Sequence, residues 1–501
     1  MTVPCLPSLL LIISFAFLFL IKLVKPRKPQ NFKLLPPGPK MLPIIGSMHH
    51  LIGSLPHHIL RDLAKTYGPL MHLKLGEIST IVVSSKEMTR EIMKDHDIKF
   101  ASRPNILSAK IMLYDHRDLV FAPYGEYWRQ LRKLFVVELL SAKRVQSFRS
   151  IREEEALGLM RKIGSMSPLP VNLTELLHSF GNDMTAQIAF GNKCKDVGTY
   201  LKAMKEGLEL SSGFCLADLF PSSTLIRSVT RLKFKLEKCH HKVDRILERI
   251  ILDHKDKRGM EFKNAETLEE NFLDVLFNLQ AHGGLGIYLT DTNIKAIIFD
   301  VFAAGSGTTA AAMTWTMSEL IQNPRVLKKA QAEVREVVGC EGKVTEVHIK
   351  KLNYLKLVVK ETLRLHPSAP LLIPRECSEQ CQVHGYDIPA GTRVVFNAWA
   401  MGRDPMYWDE PEMFRPERFE GSSVDLKGTD YEFIPFGAGR RICPGILFGM
   451  ASMELVLANL LFYFEWSLPE GIKELDMTEK FGLGARRKYD LILCATPYVS
   501  L

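Results

Sequence analysis

The 501-residue chain contains no Cys-x-x-Cys pair, and its nine cysteines follow no regular framework. An odd, scattered set argues against a disulfide-stapled secreted scaffold and for a reducing compartment. No dense Lys/Arg block is interleaved with aromatics, so no nucleic-acid face is marked. No Gly-x-Gly-x-x-Gly follows a strand in a βαβ pattern, so the chain has no dinucleotide fold of its own. There is no internal repeat, and no linker divides the body into two domains. The first apolar run has no basic residue before it and no small-residue cleavage site after it, which argues against a removed signal peptide.

What is present is an ordinary globular composition, 46 % hydrophobic and 24 % charged, with a spread net charge of +9. Such a charge suits an anionic membrane or an acidic protein partner. LLLIISFAFLFLI (9–21), extended back to Val3, is about long enough to cross a bilayer as a helix. Lys22, Lys25, Arg27 and Lys28 follow it. The positive-inside rule then places the N-terminus outside and the body in the cytosol. Asn172-Leu173-Thr174 is a glycosylation sequon that should stay unmodified there. LLPPGPK (34–40) denies the chain a helix and stiffens it. The expected organisation is an anchor over 1–24, a basic and proline-rich hinge over 25–40, and one catalytic domain over 41–501.

From residue 55 the pattern is mainly α with a minor β-sheet. HHILRDLAKTYG (57–68) reads as an amphipathic helix stopped by Gly68, and 70–76 with 79–84 as a hairpin. Helical patterns recur across 124–159, 171–190, 200–213, 224–256 and 267–282. A long one spans 291–322, with Thr290 as cap and Pro324 as stop. Further helices are expected over 324–337 and 346–364, short strands near 381–387 and 392–396, and a last strand at DLILCAT. Between Pro411 and Cys443 the chain reads mostly as loop.

FAAGSGTT (302–309) lies inside the long helix. No lysine follows and no strand precedes, so a phosphate loop is excluded. Two glycines in a helix each cost about 1 kcal/mol against alanine, so something must recover that cost.

FIPFGAGRRICPG (433–445) is the most informative stretch. Its glycines let backbone approach something flat and large, Phe436 offers an aromatic face, and Arg440 and Arg441 offer cations. The helix that follows would favour a thiolate at Cys443 through its first-turn amides. One thiolate without companion cysteines or histidines is not a zinc or iron–sulfur site. A single axial ligand on haem iron fits. The segment resembles the haem-binding loop of the cytochrome P450 monooxygenases, Phe-x-x-Gly-x-Arg-x-Cys-x-Gly, through Phe436, Gly439, Arg441, Cys443 and Gly445. Glu361-Thr362-Leu363-Arg364 and Phe414-Arg415-Pro416-Glu417-Arg418-Phe419 are similar to that family's Glu-x-x-Arg helix and its companion element. They imply a buried Glu361–Arg364–Arg418 triad. Trp128 and Arg132 resemble the helix that reaches a haem propionate. Arg375 in LLIPRE resembles a second propionate partner, and Arg103 resembles an early basic residue of surface or haem-side role.

The resemblance covers the whole chain and implies the cytochrome P450 fold with an N-terminal transmembrane anchor. It also implies haem b ligated by Cys443. Ala304 and Gly305 then resemble the small pair that leaves a groove for dioxygen, and Thr308 the residue that hydrogen-bonds the bound oxygen. Thr309 is expected to bond back to the helix carbonyls. Gly307 departs from the pattern, standing where the family usually has an acid. Electrons would come from NADPH through a partner reductase, with cytochrome b5 as a further partner, at the endoplasmic reticulum membrane. Ile106, Leu113, Phe214, Leu216, Ile297, Val301, Ala304, Leu371, Leu372, Phe481 and Leu483 resemble substrate-contact positions and are apolar. The style of the motifs resembles plant microsomal enzymes of specialised metabolism and favours a terpenoid substrate. A phenolic, alkaloid or amino-acid-derived substrate is the alternative, as is a reductase-independent haem-thiolate dehydratase or isomerase.

Overall fold

The computed structural model describes residues 34–191, 197–210, 215–261, 270–284, 286–482 and 484–499. The N-terminal apolar run lies outside them. Helix α1 (Pro56–Tyr67) starts on a proline, whose missing N–H is no loss in a first turn, and ends at Gly68. Strands β1 (Leu70–Leu75) and β2 (Ile78–Val83) pair antiparallel, Leu70 opposite Val83, as the alternation predicts. They continue into a four-stranded sheet with two later strands, β3 (Arg375–Glu376) and β4 (Arg393–Phe396), in the order β1–β2–β4–β3. The end of the proline segment lies along this sheet: the Pro37 carbonyl accepts the His72 N–H at 2.8 Å.

The rest is mostly helix around one large core. Helix α2 (Glu126–Lys133) leads into it. Helix α3 (Leu173–Phe190) is capped by Asn172, whose side chain accepts the Glu175 N–H at 3.1 Å and donates to Asp490 at 2.9 Å. The sequon asparagine is thus a helix cap. Helix α4 (Asp291–Gln322) has the bounds its caps predict: Thr290 and Asn293 form a reciprocal capping box, and Pro324 follows the end. Gly181 lets α3 close on α4, since a Cβ there would sit 3.1 Å from the Ser306 carbonyl oxygen.

Helix α5 (Pro324–Val338) precedes α6 (Asn353–Leu365). The single helix expected over 346–364 is two, a short turn at Glu346–Ile349 and then α6. The break is made from outside. The Glu333 carboxylate on α5 accepts the N–H groups of Asn353, Tyr354 and Leu355 at 2.7–2.9 Å, starting a new helix there. The strand expected over 381–387 is a hairpin of Cys381–Val383 with Tyr386–Ile388. Helix α7 (Ile446–Tyr463) follows the cysteine loop, and a small hairpin, β5 (Glu479–Phe481) with β6 (Ala485–Arg487), comes near the end. Helices α4 and α7 are apolar and long enough to cross a membrane, but 61 % and 67 % of their most apolar stretches are buried inside the protein. They are core helices.

Candidate active site

The long irregular segment before Cys443 is held by charge. Arg364 grips Glu361 with two hydrogen bonds of 2.8 Å, and Arg418 donates to the same carboxylate at 2.9 Å. Glu361 and Arg364 are wholly buried. Arg364 also donates to the carbonyls of Gly402, Pro411 and Met413, and so fixes the loop it lies under. Both arginines share the Glu361 carboxylate and all five Arg364 N–H groups are used, which is what makes burial of such a cluster tolerable.

Beyond it the chain turns at Gly439, whose φ of +65° suits glycine and whose absent Cβ would lie 2.5 Å from the Met93 carbonyl oxygen. That turn sends Arg440 to the surface and Arg441 inward. Cys443 N–H donates to the Phe436 carbonyl at 3.0 Å, and its Sγ accepts the Gly445 N–H at 3.4 Å. Burial pushes the Cys443 thiol up, while the Gly445 amide and Arg132 pull it down. The amide at the start of α7 and the Arg132 cation thus favour the thiolate, as expected, while burial opposes it.

The sulfur faces an interior cavity enclosing ≈ 1750 Å³, counted with its opening to solvent. Opposite runs α4, contributing Val301, Ala304, Gly305 and Thr308. Thr308 Oγ1 donates to the Ala304 carbonyl at 2.6 Å. The back-bond expected of Thr309 is thus made by Thr308, while Thr309 Oγ1 lies beside Gly449 of α7. A Cβ built on Gly307 meets nothing within 4 Å, and one on Gly305 meets only Thr185 Oγ1 at 3.8 Å. Neither glycine is there to admit a protein neighbour.

The same cavity gathers Phe436, Trp128, Arg132, Arg375 and Arg441 from three separate segments. Trp128 donates to the Leu119 carbonyl at 3.1 Å, and the Arg441 guanidinium lies 4.4 Å over its ring. Arg441 donates to the carbonyls of Ala101, Leu119 and Ala122; Arg132 donates to that of Ile442 at 2.6 Å. Arg375 donates to Asp97 and the Ala438 carbonyl. Burial, then the neighbouring Arg375, pull Arg441 down to about 9. Among the described residues no carboxylate forms an ion pair with Arg103, Arg132 or Arg441. A cluster of buried guanidiniums around an apolar cavity, beside a buried thiol, calls for a flat ligand with anionic edges and a cationic centre. Haem has that chemistry, and the residues fit it.

Three features of the site go beyond the sequence reading. Arg103, expected in a surface or haem-side role, is buried and lines the cavity, donating to the carbonyls of Val120, Ile373 and Pro374. Asp300, one turn before Ala304 on α4, accepts the Leu119 N–H at 2.7 Å, and Asp118 accepts that of Phe121 at 2.6 Å. Burial raises both carboxyls, Asp118 to about 6, with its charge raising Asp300 further. The spacing 300/304/308 was the available signal. Leu372, on the opposite wall, holds φ at +52°, a strained conformation for a non-glycine residue. Of the expected substrate contacts, Val301, Ala304 and Leu372 line the cavity. Ile106, Leu113, Ile297 and Leu371 are buried outside its wall, and Leu216 is exposed. Phe214, Leu483 and the Phe481 side chain lie outside the described residues.

Residues 36–494 match the family model "Cytochrome P450". This chain belongs to the cytochrome P450 family. It is 53 % identical over 486 residues to desmethyl-deoxy-podophyllotoxin synthase of Sinopodophyllum hexandrum, covering 96 % of each chain. It is 51 % identical over 485 residues to premnaspirodiene oxygenase of Hyoscyamus muticus, again over 96 % of each. Among solved structures, a zebra fish cytochrome P450 with progesterone superposes with a TM-score of 0.76 at 26 % identity, over 89 % of this chain and 100 % of that one. The mainly α P450 fold with a minor sheet is therefore the fold of this chain. Its activity is that of a haem-thiolate P450 monooxygenase acting on an apolar small molecule with dioxygen, with electrons from NADPH through a reductase.

Proposed function

We propose that this P450 binds haem b through Cys443 and oxygenates a terpenoid over the Ala304–Gly305 stretch of α4. One observation carries the reading: the Cys443 thiol and a helix-borne hydroxyl, Thr308, line the same apolar cavity. The bound haem would supply dioxygen activation, delivering one oxygen atom to the substrate and the other to water.

The chain's residues do the remaining work. Arg132, Arg375 and Arg441 hold the anionic edge, and Phe436 and Trp128 pack beside it. Ala304 and Gly305 keep α4 thin where small reactants must fit. Thr308, its proton committed to the Ala304 carbonyl, presents an acceptor oxygen to the cavity. An acceptor there would receive a hydrogen bond from a proton donor in the cavity and orient it. Gly307 supplies no carboxylate, so protons arrive through water in the open space beside it. Val301 and Leu372 give the substrate an apolar wall without charge. The relatives' names, premnaspirodiene oxygenase among them, support an apolar specialised metabolite.

Residues 1–24 would anchor the enzyme in the endoplasmic reticulum membrane as a single pass, with 25–40 as a stiff hinge and the catalytic domain, 41–501, in the cytosol. The basic residues after the apolar run support that orientation. The net charge of +9 suits an acidic reductase, and cytochrome b5 as a second donor.

The test is co-expression with a plant-type reductase and a panel of terpenes, phenylpropanoids and indolic compounds, read by mass spectrometry. NADPH-dependent enrichment of an oxidised terpene is expected. Oxidation confined to the other two classes would overturn the terpenoid assignment. A carbon monoxide difference spectrum of the reduced protein checks Cys443 independently.

A further inference from the structure

A second cluster of metal-ligating side chains lies apart from the haem cavity. We propose that His57, His58 and Glu479, backed by His366, bind a zinc ion that clamps the β5–β6 hairpin to the start of α1. Three imidazoles from two distant segments converge on one carboxylate. His57 Nε2 lies 2.8 Å from Glu479 Oε2, His58 Nε2 3.6 Å from the same oxygen, and His366 Nδ1 3.7 Å from Oε1. Zinc–ligand bonds of about 2.0–2.1 Å in a tetrahedron put neighbouring ligand atoms about 3.3 Å apart. The observed spacings bracket that value.

The tautomers make the case. His366 Nε2 is 2.7 Å from Glu319 Oε1 and must carry the proton there, since a carboxylate only accepts. In a neutral ring Nδ1 is then a lone pair, buried, without a hydrogen-bond partner and aimed at another carboxylate. His58 Nε2 is also buried and stands beyond hydrogen-bond reach of Glu479. At His366, whose side chain is 7 % exposed, acceptor facing acceptor needs a positive charge between them. Glu319 behind His366 is the carboxylate–histidine support that metal sites use to fix a ring.

The rings are also held in place. His366 stacks on Trp315 with centroids 4.0 Å apart, and His58 stacks on Trp399 at 4.2 Å. Burial lowers the His57 pKa and favours the neutral, ligating imidazole. Arg403 is an opposing charge that also acts on Glu479; it pairs with Glu412 at 3.1 Å and lies over the Trp399 ring. Arg61 lies over that same ring at 5.0 Å. Zinc is the class of ion indicated, because the donor set is imidazole nitrogen with one carboxylate. The hairpin so clamped reaches the haem cavity's edge, since the Ala485 N–H donates to the carbonyl of Ser368, a cavity residue.

The experiment uses untagged holoenzyme, stripped with a chelator and titrated with zinc alone by isothermal calorimetry, with X-ray absorption at the zinc edge on the loaded protein. One zinc per chain at micromolar or tighter affinity is expected, with nitrogen and oxygen neighbours at about 2.0–2.1 Å and imidazole scattering. His58→Gln and Glu479→Gln should each weaken binding at least ~10-fold. The exposed-thiol control Cys340→Ser should change nothing. No stoichiometric zinc, a sulfur neighbour, or unchanged binding in His58→Gln would overturn the site and leave a proton as the charge in the cluster. The carbon monoxide spectrum of each variant shows that it is folded and haem-loaded.

Discussion

The two walls of the haem cavity use glycine for opposite reasons. On the cysteine-loop wall, Gly439 is fixed by backbone: its φ is +65° and a Cβ would collide with the Met93 carbonyl oxygen. On the α4 wall, Gly305 and Gly307 sit in regular helix with ordinary or empty surroundings. The first wall is built by its own contacts. The second is shaped by what must pass beside it. Sites on the first wall should fail by losing structure, and sites on the second by losing chemistry while the fold survives.

Cys443→Ser is the extreme case for the loop wall. It should abolish the thiolate-type carbon monoxide band and turnover together, read by spectrum and product formation. Glu361→Ala, beneath the same wall, strands two arginines and should cost about 3–5 kcal/mol. The expected outcome is little recoverable holoprotein in expression and thermal-melt assays. Thr308→Ala is the counterpart on α4. Haem content and melting temperature should hold, while coupled turnover falls about 100-fold, with peroxide released in place of product.

A matched pair then tests the comparison directly. Gly439→Ala should lose about 2 kcal/mol or more through strain and collision. Gly307→Ala should gain about 0.5–1 kcal/mol of helix stability and change coupling alone. If both variants lost stability equally in a melt, the distinction between the walls would not hold. A last test varies pH, at Asp118 behind the loop wall. Its carboxyl is raised to about 6, so its contribution is present below the unfolded pKa of about 4 and lost as pH rises through 6. Asp118→Asn should remove that loss, at most about 3 kcal/mol for a carboxyl moved from about 4 to about 6, so stability should fall less steeply between pH 4 and 6 than in the parent chain.

Legibility in the sequence followed the range of the interactions. Helix α4 could be bounded because Thr290 and Pro324 are local signals. The break before α6 could not, because its cause is a carboxylate from another helix, Glu333. Arg364 and Arg418 were legible because motif spacing places them; Asp300 and Asp118 were not. They act on backbone N–H groups of one loop, Leu119 and Phe121, and the first of these partners is 181 residues from Asp300. Arg440 and Arg441 are adjacent in sequence, yet one is exposed and the other packed over Trp128.

By itself the sequence determined the family, the mainly helical class, and the residues able to supply a thiolate, buried cations and a hydroxyl beside a small-residue turn. Those are matters of residue type and short spacing, which the chain states directly. Tertiary structure alone decided that the Thr308 hydroxyl is turned onto Ala304, that Asp300 and Asp118 are buried and resist ionisation, and that three histidines surround Glu479. The first is a choice of rotamer within one helix turn; the others depend on burial or on partners brought from far along the chain, which exist only once the core has closed.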